Sequence, residues 1–275
     1  MLKLLNFSLD SFKILDDLSK EMNVIISYEN EKCALDYFEI ARNDFKAFKK
    51  LYKSDPALGV YHLEQFHEKL INSFLLLSGR AESKDLDNHN RALLKINSLI
   101  KTVSFNKYLA IYKDLINNEF EFDINIIFNE KKISINPNEK EISSLLLFLT
   151  EIRKKYSDKI FILKFIKNNT KGHKLTLIQK LLMNFNFQLK KKEIKQIFSE
   201  ELVSKILFFN YLNYSIILLY VLFLPHYSRS RYIKGDINYF EYKKMDLTKK
   251  LDEIKIYNEI LIKDYNRFIK NKIII

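Results

Sequence analysis

Apolar positions along this chain recur mostly at three- and four-residue steps, the spacing of amphipathic helices. The pattern is clearest over residues 31–53, where small and aromatic residues alternate with charged ones. We therefore expect a chain built of long helices. Besides 31–53, they are predicted at about 58–77, 90–102, 107–117, 139–156, 175–189, 206–224 and 245–269, after a shorter N-terminal one.

Two segments depart from this amphipathic pattern. Residues 120–135 alternate and are rich in β-branched side chains, which predicts a small β-hairpin. Residues 206–224 carry no charge, and their mean hydropathy of roughly 2 is high enough for a membrane span. Asn210 and Asn213 lie three positions apart in that segment, as in one buried polar stripe. That spacing favours a core helix, apolar all round because other helices surround it, over a span.

Composition narrows the fold class. The 275 residues include only 4 Gly and 3 Pro, too few for the turns of a β-sandwich or for the glycine-rich loops of nucleotide-binding α/β folds. The predicted fold is an all-α, up-and-down helical bundle with a mostly helical insertion and at most one hairpin. Gly79, just after the second predicted helix, suits the left-handed C′ position. A single cysteine excludes a disulfide framework and fits a cytoplasmic location.

The chain has a formal net charge of +12, with 46 Lys and Arg against 34 Asp and Glu. Only seven of these cations are arginine, and Ile, Asn, Lys, Phe and Tyr are abundant throughout, as an AT-rich coding sequence would produce. The charge therefore allows contact with nucleic acid or an anionic membrane but does not establish it.

Metal and serine-nucleophile chemistry are poorly supported. The five histidines include no pair at the i,i+4 spacing of a helical zinc site, and no Gly-x-Ser-x-Gly motif occurs. We therefore predict no metal site and no cofactor. His62 and His67 are five residues apart, so they face different sides of one helix, and we expect His67 to be exposed.

Three separated segments carry a family resemblance. Residues 41–47 (ARNDFKA) resemble the opening helix of HEPN domains, and residues 61–70 (YHLEQFHEKL) resemble the second helix of that family. His89 before Leu93 and Leu94 is similar to the start of its next helix, with Asn90 in place of an aspartate. Residues 225–232 (PHYSRSRY) resemble the turn before its last helix, with Ile233 in place of a proline.

This resemblance implies a domain organisation and a cellular role. Residues 1–32 would form an N-terminal segment, 33–102 and 201–271 a discontinuous HEPN-like bundle, and 103–200 an insertion. Such bundles often dimerise and act around RNA or nucleotides. Many are ribonucleases of defence or toxin–antitoxin systems, and others have a small nucleotidyltransferase as partner.

The family's metal-independent ribonucleases place a histidine four to six residues after an arginine. No arginine of this chain has a histidine at that spacing. Arg80 and His89, nine positions apart, are the nearest substitute for a catalytic pair. The alternative is a solvated loop arginine and a helix-capping histidine.

Two further groups are candidate ligand-binding or phosphate-binding residues. His62, Gln65 and Lys69 share one helix face, where they either contact a ligand or belong to a hydrogen-bonded network that sets helix register. Arg229, Arg231 and Tyr232 either bind phosphate or cap helix carbonyls. The run of lysines at 190–195 is typical of a solvated face.

The resulting expectation is an RNA- or nucleotide-associated HEPN-like module that lacks the usual ribonuclease motif. Three alternatives stay open at this point: an active ribonuclease using Arg80 and His89, a small membrane protein anchored by residues 206–224, and a purely structural partner protein.

Overall fold

The computed structural model describes residues 26–86, 137–159, 162, 200–226 and 241–273. Of these residues 87% are helical and none is in a strand, which confirms the all-α class. The predicted N-terminal helix, the helices at 90–102, 107–117 and 175–189, the hairpin at 120–135 and the lysine run at 190–195 lie outside the described residues.

The first two helices form an antiparallel hairpin. Helix α1 spans Tyr28–Leu51 and α2 spans Pro56–Leu77. Each has a side-chain N-cap: Ser27 Oγ accepts from the Asn30 backbone N–H at 3.2 Å, and Asp55 Oδ1 accepts from that of Leu58 at 3.0 Å. The apolar periodicity therefore located both helices, and the caps set where they begin.

Two glycines shape the ends of α2. Gly59 lies inside the helix, where an added Cβ would be only 2.7 Å from the Cα of Tyr52, so the close approach of α1 and α2 requires glycine there. Gly79 has φ 67°, as predicted for a C′ residue. The Arg80 N–H donates to the Leu75 carbonyl at 2.9 Å and that of Gly79 to the Leu76 carbonyl at 3.1 Å, which completes a Schellman cap.

The remaining helices also follow the predicted pattern, with shifted ends. They are α3 at Glu139–Ser157, α4 at Glu200–Phe223, the short α5 at Asp246–Lys249 and α6 at Leu251–Ile273. Helix α4 begins six residues before its apolar segment and ends in a 3₁₀ turn, Leu224–His226. The predicted last helix is interrupted at Lys250, so α5 and α6 are separate.

The apolar part of α4 is packed in protein. Leu212, Tyr214 and Phe223 are fully buried, and so are most of the residues between them. Asn213 is buried too, with 8% of its surface exposed. The segment is thus a core helix in this structure. Within the described ranges, no helix combines the length and apolarity needed to cross a membrane.

The chain divides into two compact units, residues 1–23 with 151–211 and residues 24–150 with 212–275. In the described part of the first, the Tyr156, Phe208 and Tyr211 rings pack within 6.3 Å of one another. In the second, the Tyr265 hydroxyl donates to Ser73 Oγ at 2.9 Å, and Ser73 donates to the Ala34 carbonyl at 2.7 Å, which joins α6, α2 and α1.

The predicted division into 1–32, 33–102 with 201–271, and 103–200 stays a prediction, because much of it depends on residues outside the described ranges.

Candidate functional site

Helix α2 has one narrow face that is not buried. Sixteen of its residues are buried, Leu58 is exposed, and Pro56, Tyr61, His62, Gln65 and Lys69 are half-buried. At 3.6 residues per turn the side chains of His62, Gln65 and Lys69 lie within an arc of about 60°. The predicted shared face is therefore confirmed, and we call His62, Gln65 and Lys69 the polar cluster.

His62 is held by a carboxylate from α1. Its Nδ1 lies 3.1 Å from Asp44 Oδ1, and both side chains are 21% exposed. Its Nε2 makes no hydrogen bond within the described ranges. When Nδ1–H donates to Asp44, a neutral imidazole presents Nε2 as an acceptor to an incoming group.

Gln65 and Lys69 rest on two buried carboxylates. Gln65 Nε2 donates to Glu64 Oε2 at 2.6 Å and to Glu68 Oε2 at 3.3 Å, and Lys69 Nζ donates to Glu68 Oε2 at 3.1 Å. Glu64 and Glu68 are 1% and 3% exposed. These bonds form the kind of network that was one of the two interpretations, and they position the polar cluster. Ligand contact by the cluster stays a prediction.

Asp44 was missed from the sequence, although a signal for it exists. In an antiparallel helical hairpin, residues at equal distances from the connection lie level with each other. Asp44 precedes the end of α1 by seven residues, and His62 follows the start of α2 by six. A carboxylate and an imidazole at matched distances from a short turn therefore predict this pair.

His67 contradicts its predicted exposure, since its side chain is fully buried. The ring stacks on Phe223 at 5.1 Å with an interplanar angle of 6°, and its centroid lies 4.7 Å from that of Phe66. Neither ring nitrogen has a hydrogen-bond partner within the described ranges. Burial lowers the pKa of His67 to about 3, which keeps the imidazole neutral.

Arg80 is not the solvated loop residue that one interpretation expected. It is half-buried, its Nη1 donates to Asn213 Oδ1 at 2.8 Å, and its guanidinium carbon lies 5.8 Å from the centroid of the Phe74 ring. Arg80 thus ties the end of α2 to α4. Its proposed partner His89 lies outside the described residues, as do Arg229, Arg231 and Tyr232, so their roles stay predictions.

In the part of the chain that the structure describes, no group of three or more His, Cys, Asp or Glu side chains is placed to hold a metal ion. No family model, no curated protein and no solved structure matches this chain. Any functional assignment therefore depends on the residues themselves.

Proposed function

We propose that this chain is a HEPN-like helical module that associates with RNA or a nucleotide without cleaving it, in a defence or toxin–antitoxin setting. The observation that carries the proposal is the polar cluster, a half-buried set of three different polar side chains on a helix of which sixteen residues are buried. The family resemblance of residues 41–47 and 61–70 supplies the class of ligand.

The chemistry of the polar cluster suits a nucleotide. Lys69 supplies a cation for a phosphate, while Oε1 of Gln65 offers an acceptor to a base or ribose edge, because the Gln65 amide nitrogen donates to Glu64 and Glu68. In the neutral tautomer that donates from Nδ1 to Asp44, His62 adds an acceptor at Nε2. The bonds to Glu64 and Glu68 hold Gln65 and Lys69 in place, which reduces the conformational entropy lost when a ligand binds.

Two observations support association without cleavage. The arginine–histidine spacing of the family's ribonucleases does not occur in the sequence. The guanidinium of Arg80 is committed to Asn213 and lies over Phe74, which is a structural role. The same resemblance supports a homodimer and a small nucleotidyltransferase partner, which light scattering and co-purification test.

Binding is tested with a triple variant, His62→Ala, Gln65→Ala and Lys69→Ala. Its matched control is Lys263→Ala, Asn266→Ala and Lys270→Ala, because these exposed residues of α6 have the same spacing. We expect the first variant to lose at least about tenfold in affinity for labelled RNA or nucleotide, the equivalent of one lost hydrogen bond to a charged group. The control should bind like wild type.

The milder variant His62→Gln, with circular dichroism of every protein, separates a binding defect from a folding defect. If wild type and a folded triple variant bind equally well, the polar cluster is not the binding site. Failure of wild type to bind RNA or nucleotide would overturn the proposed function itself.

The Asp44–His62 pair favours one second candidate, RNA cleavage with His62 as general base. In that reaction His62 Nε2 takes the proton of a ribose 2′-hydroxyl while that oxygen attacks the adjacent phosphorus. The 5′-oxygen then leaves with a proton from water, and a 2′,3′-cyclic phosphate forms.

Incubation with total RNA tests this candidate against the Arg80–His89 alternative. Loss of cleavage in His62→Gln alone supports it, loss in His89→Ala alone supports the alternative, and intact RNA with wild type supports the non-catalytic proposal.

A further inference from the structure

The second half of α1 and the turn after it carry five exposed cations. They are Arg42, Lys46, Lys49, Lys50 and Lys53, which we call the basic stripe. The backbone of Tyr52 is still helical, with φ −58° and ψ −24°. Helical periodicity therefore places all five side chains within an arc of about 100° along about 17 Å of the helix axis.

Lysine-rich composition alone does not explain the basic stripe, because charge is segregated along this helix. The first half of α1 carries four acidic residues and a single lysine, Lys32. In the second half the only acidic residue is Asp44, and it pairs with His62. The helix macrodipole favours cations only in the last turn, which accounts for Lys49 and Lys50 but not for Arg42 and Lys46.

Much of this charge is available to a partner. Arg42 pairs with Glu39 at 2.8 Å and Lys49 with Glu259 at 3.5 Å. Lys46, Lys50 and Lys53 have no carboxylate within salt-bridge distance in the described part of the chain. Lys46 Nζ instead donates to Asn43 Oδ1 at 3.1 Å, and Lys53 Nζ lies 5.8 Å from the centroid of the Tyr52 ring.

We propose that the basic stripe binds the phosphodiester backbone of RNA, an inference that rests on the proposed association with RNA. The aromatic rings beneath it, Phe45 and Tyr52, are only 3% and 7% exposed, so they offer no face on which bases stack. Binding by the stripe is therefore electrostatic and independent of sequence. An anionic membrane fits less well, because residues 41–53 expose no large apolar side chain to insert.

The test is the salt dependence of binding to a labelled RNA oligonucleotide of mixed sequence. In the test variant Lys46, Lys50 and Lys53 become Gln, and in the control Lys32, Lys140 and Lys243, also exposed lysines, become Gln. Both variants lose three positive charges. If each lysine meets one phosphate, the slope of log K against log salt becomes shallower by about 2 in the test variant. The control should keep the wild-type slope, and so should Lys46→Arg, Lys50→Arg and Lys53→Arg.

The outcomes separate the two proposals. If wild type binds RNA and the test variant keeps the same slope and affinity, the basic stripe is not the contact, while the RNA-associated function stands. If wild type binds neither RNA nor nucleotide, both proposals fail. Binding to phosphatidylserine vesicles that is lost in the test variant, without any RNA binding, would make the stripe a membrane surface and overturn the inference.

Discussion

His62 and His67 lie five residues apart on α2 and occupy opposite chemical environments. His62 is half-buried and paired with Asp44, whereas His67 is completely buried against Phe66 and Phe223. Five residues turn a helix by about 140°, enough to move a side chain from the surface into the core. The comparison teaches that the surroundings, and not the residue type, decide which histidine is available for chemistry.

The buried polar groups of the same unit also differ from one another. His67 has no hydrogen-bond partner for its ring nitrogens among the described residues, while the hydroxyls of Ser73 and Tyr265 are bonded to each other. An unsatisfied buried group costs about 1–3 kcal/mol, and a satisfied one contributes about 1 kcal/mol. Substitutions on the buried side of α2 should therefore affect stability more than those on its half-exposed face.

The largest expected effect is the pH dependence contributed by His67. The pKa of this histidine is about 3 in the folded chain and 6.5 in the unfolded chain, so on acidification the unfolded chain takes up the proton first. This group should therefore lower the free energy of unfolding by about 2 kcal/mol at pH 5 and by about 4 kcal/mol near pH 3.

His67→Phe isolates that contribution by urea denaturation at several pH values. Phenylalanine keeps the ring stack on Phe223 and removes the unsatisfied nitrogens, so the variant should be about 1–3 kcal/mol more stable at pH 7. It should also lose less stability than wild type between pH 7 and pH 5. If the free energy of unfolding depends on pH in the same way in wild type and in His67→Phe, His67 is not buried in the core.

A smaller effect is expected at Arg80, at the end of α2. Arg80→Leu removes the guanidinium that donates to the largely buried Asn213, and it should lower the free energy of unfolding by about 2 kcal/mol. The double variant with Asn213→Leu should recover part of that loss because both polar partners are then replaced. A single variant as stable as wild type would mean that the bond to Asn213 contributes nothing.

Tyr265→Phe should cost about 1 kcal/mol, the value of one neutral hydrogen bond. Ser73 keeps its own bond to the Ala34 carbonyl, so no buried donor is left without an acceptor. Tyr28→Phe is the matched control, since that tyrosine is 81% exposed, and it should leave the urea midpoint unchanged. If both variants shift the urea midpoint by the same amount, the buried hydrogen bond between Tyr265 and Ser73 contributes nothing to stability.

The smallest effect on the free energy of unfolding is expected at the Asp44–His62 pair. Asp44→Asn should change the free energy of unfolding by no more than about 0.5 kcal/mol, because the Asp44–His62 contact is partly exposed to solvent and the amide oxygen still accepts from His62. A loss as large as that of Arg80→Leu would show that the pair is a structural anchor rather than a site.

Much of the fold could be predicted because apolar periodicity and capping residues are local signals. They located α1, α2, α3 and the body of α6, together with the C′ role of Gly79. The burial of His67 could not be predicted because most of α2 is buried, including the polar residues Glu64 and Glu68, so five-residue spacing separates the two histidines without showing which one faces the core. The bond between Arg80 and Asn213 joins residues 133 positions apart, and no local pattern encodes it.

The contrast between the two histidines is tested most directly by NMR of their ring protons, assigned with His62→Gln and His67→Phe, during titration with RNA and with acid. The resonances of His62 should move when RNA is added, whereas those of His67 should not move, either with RNA or between pH 8 and pH 5. Titration of His67 near pH 6.5, or an RNA-induced shift of His67 without one of His62, would contradict the assignment of these two environments.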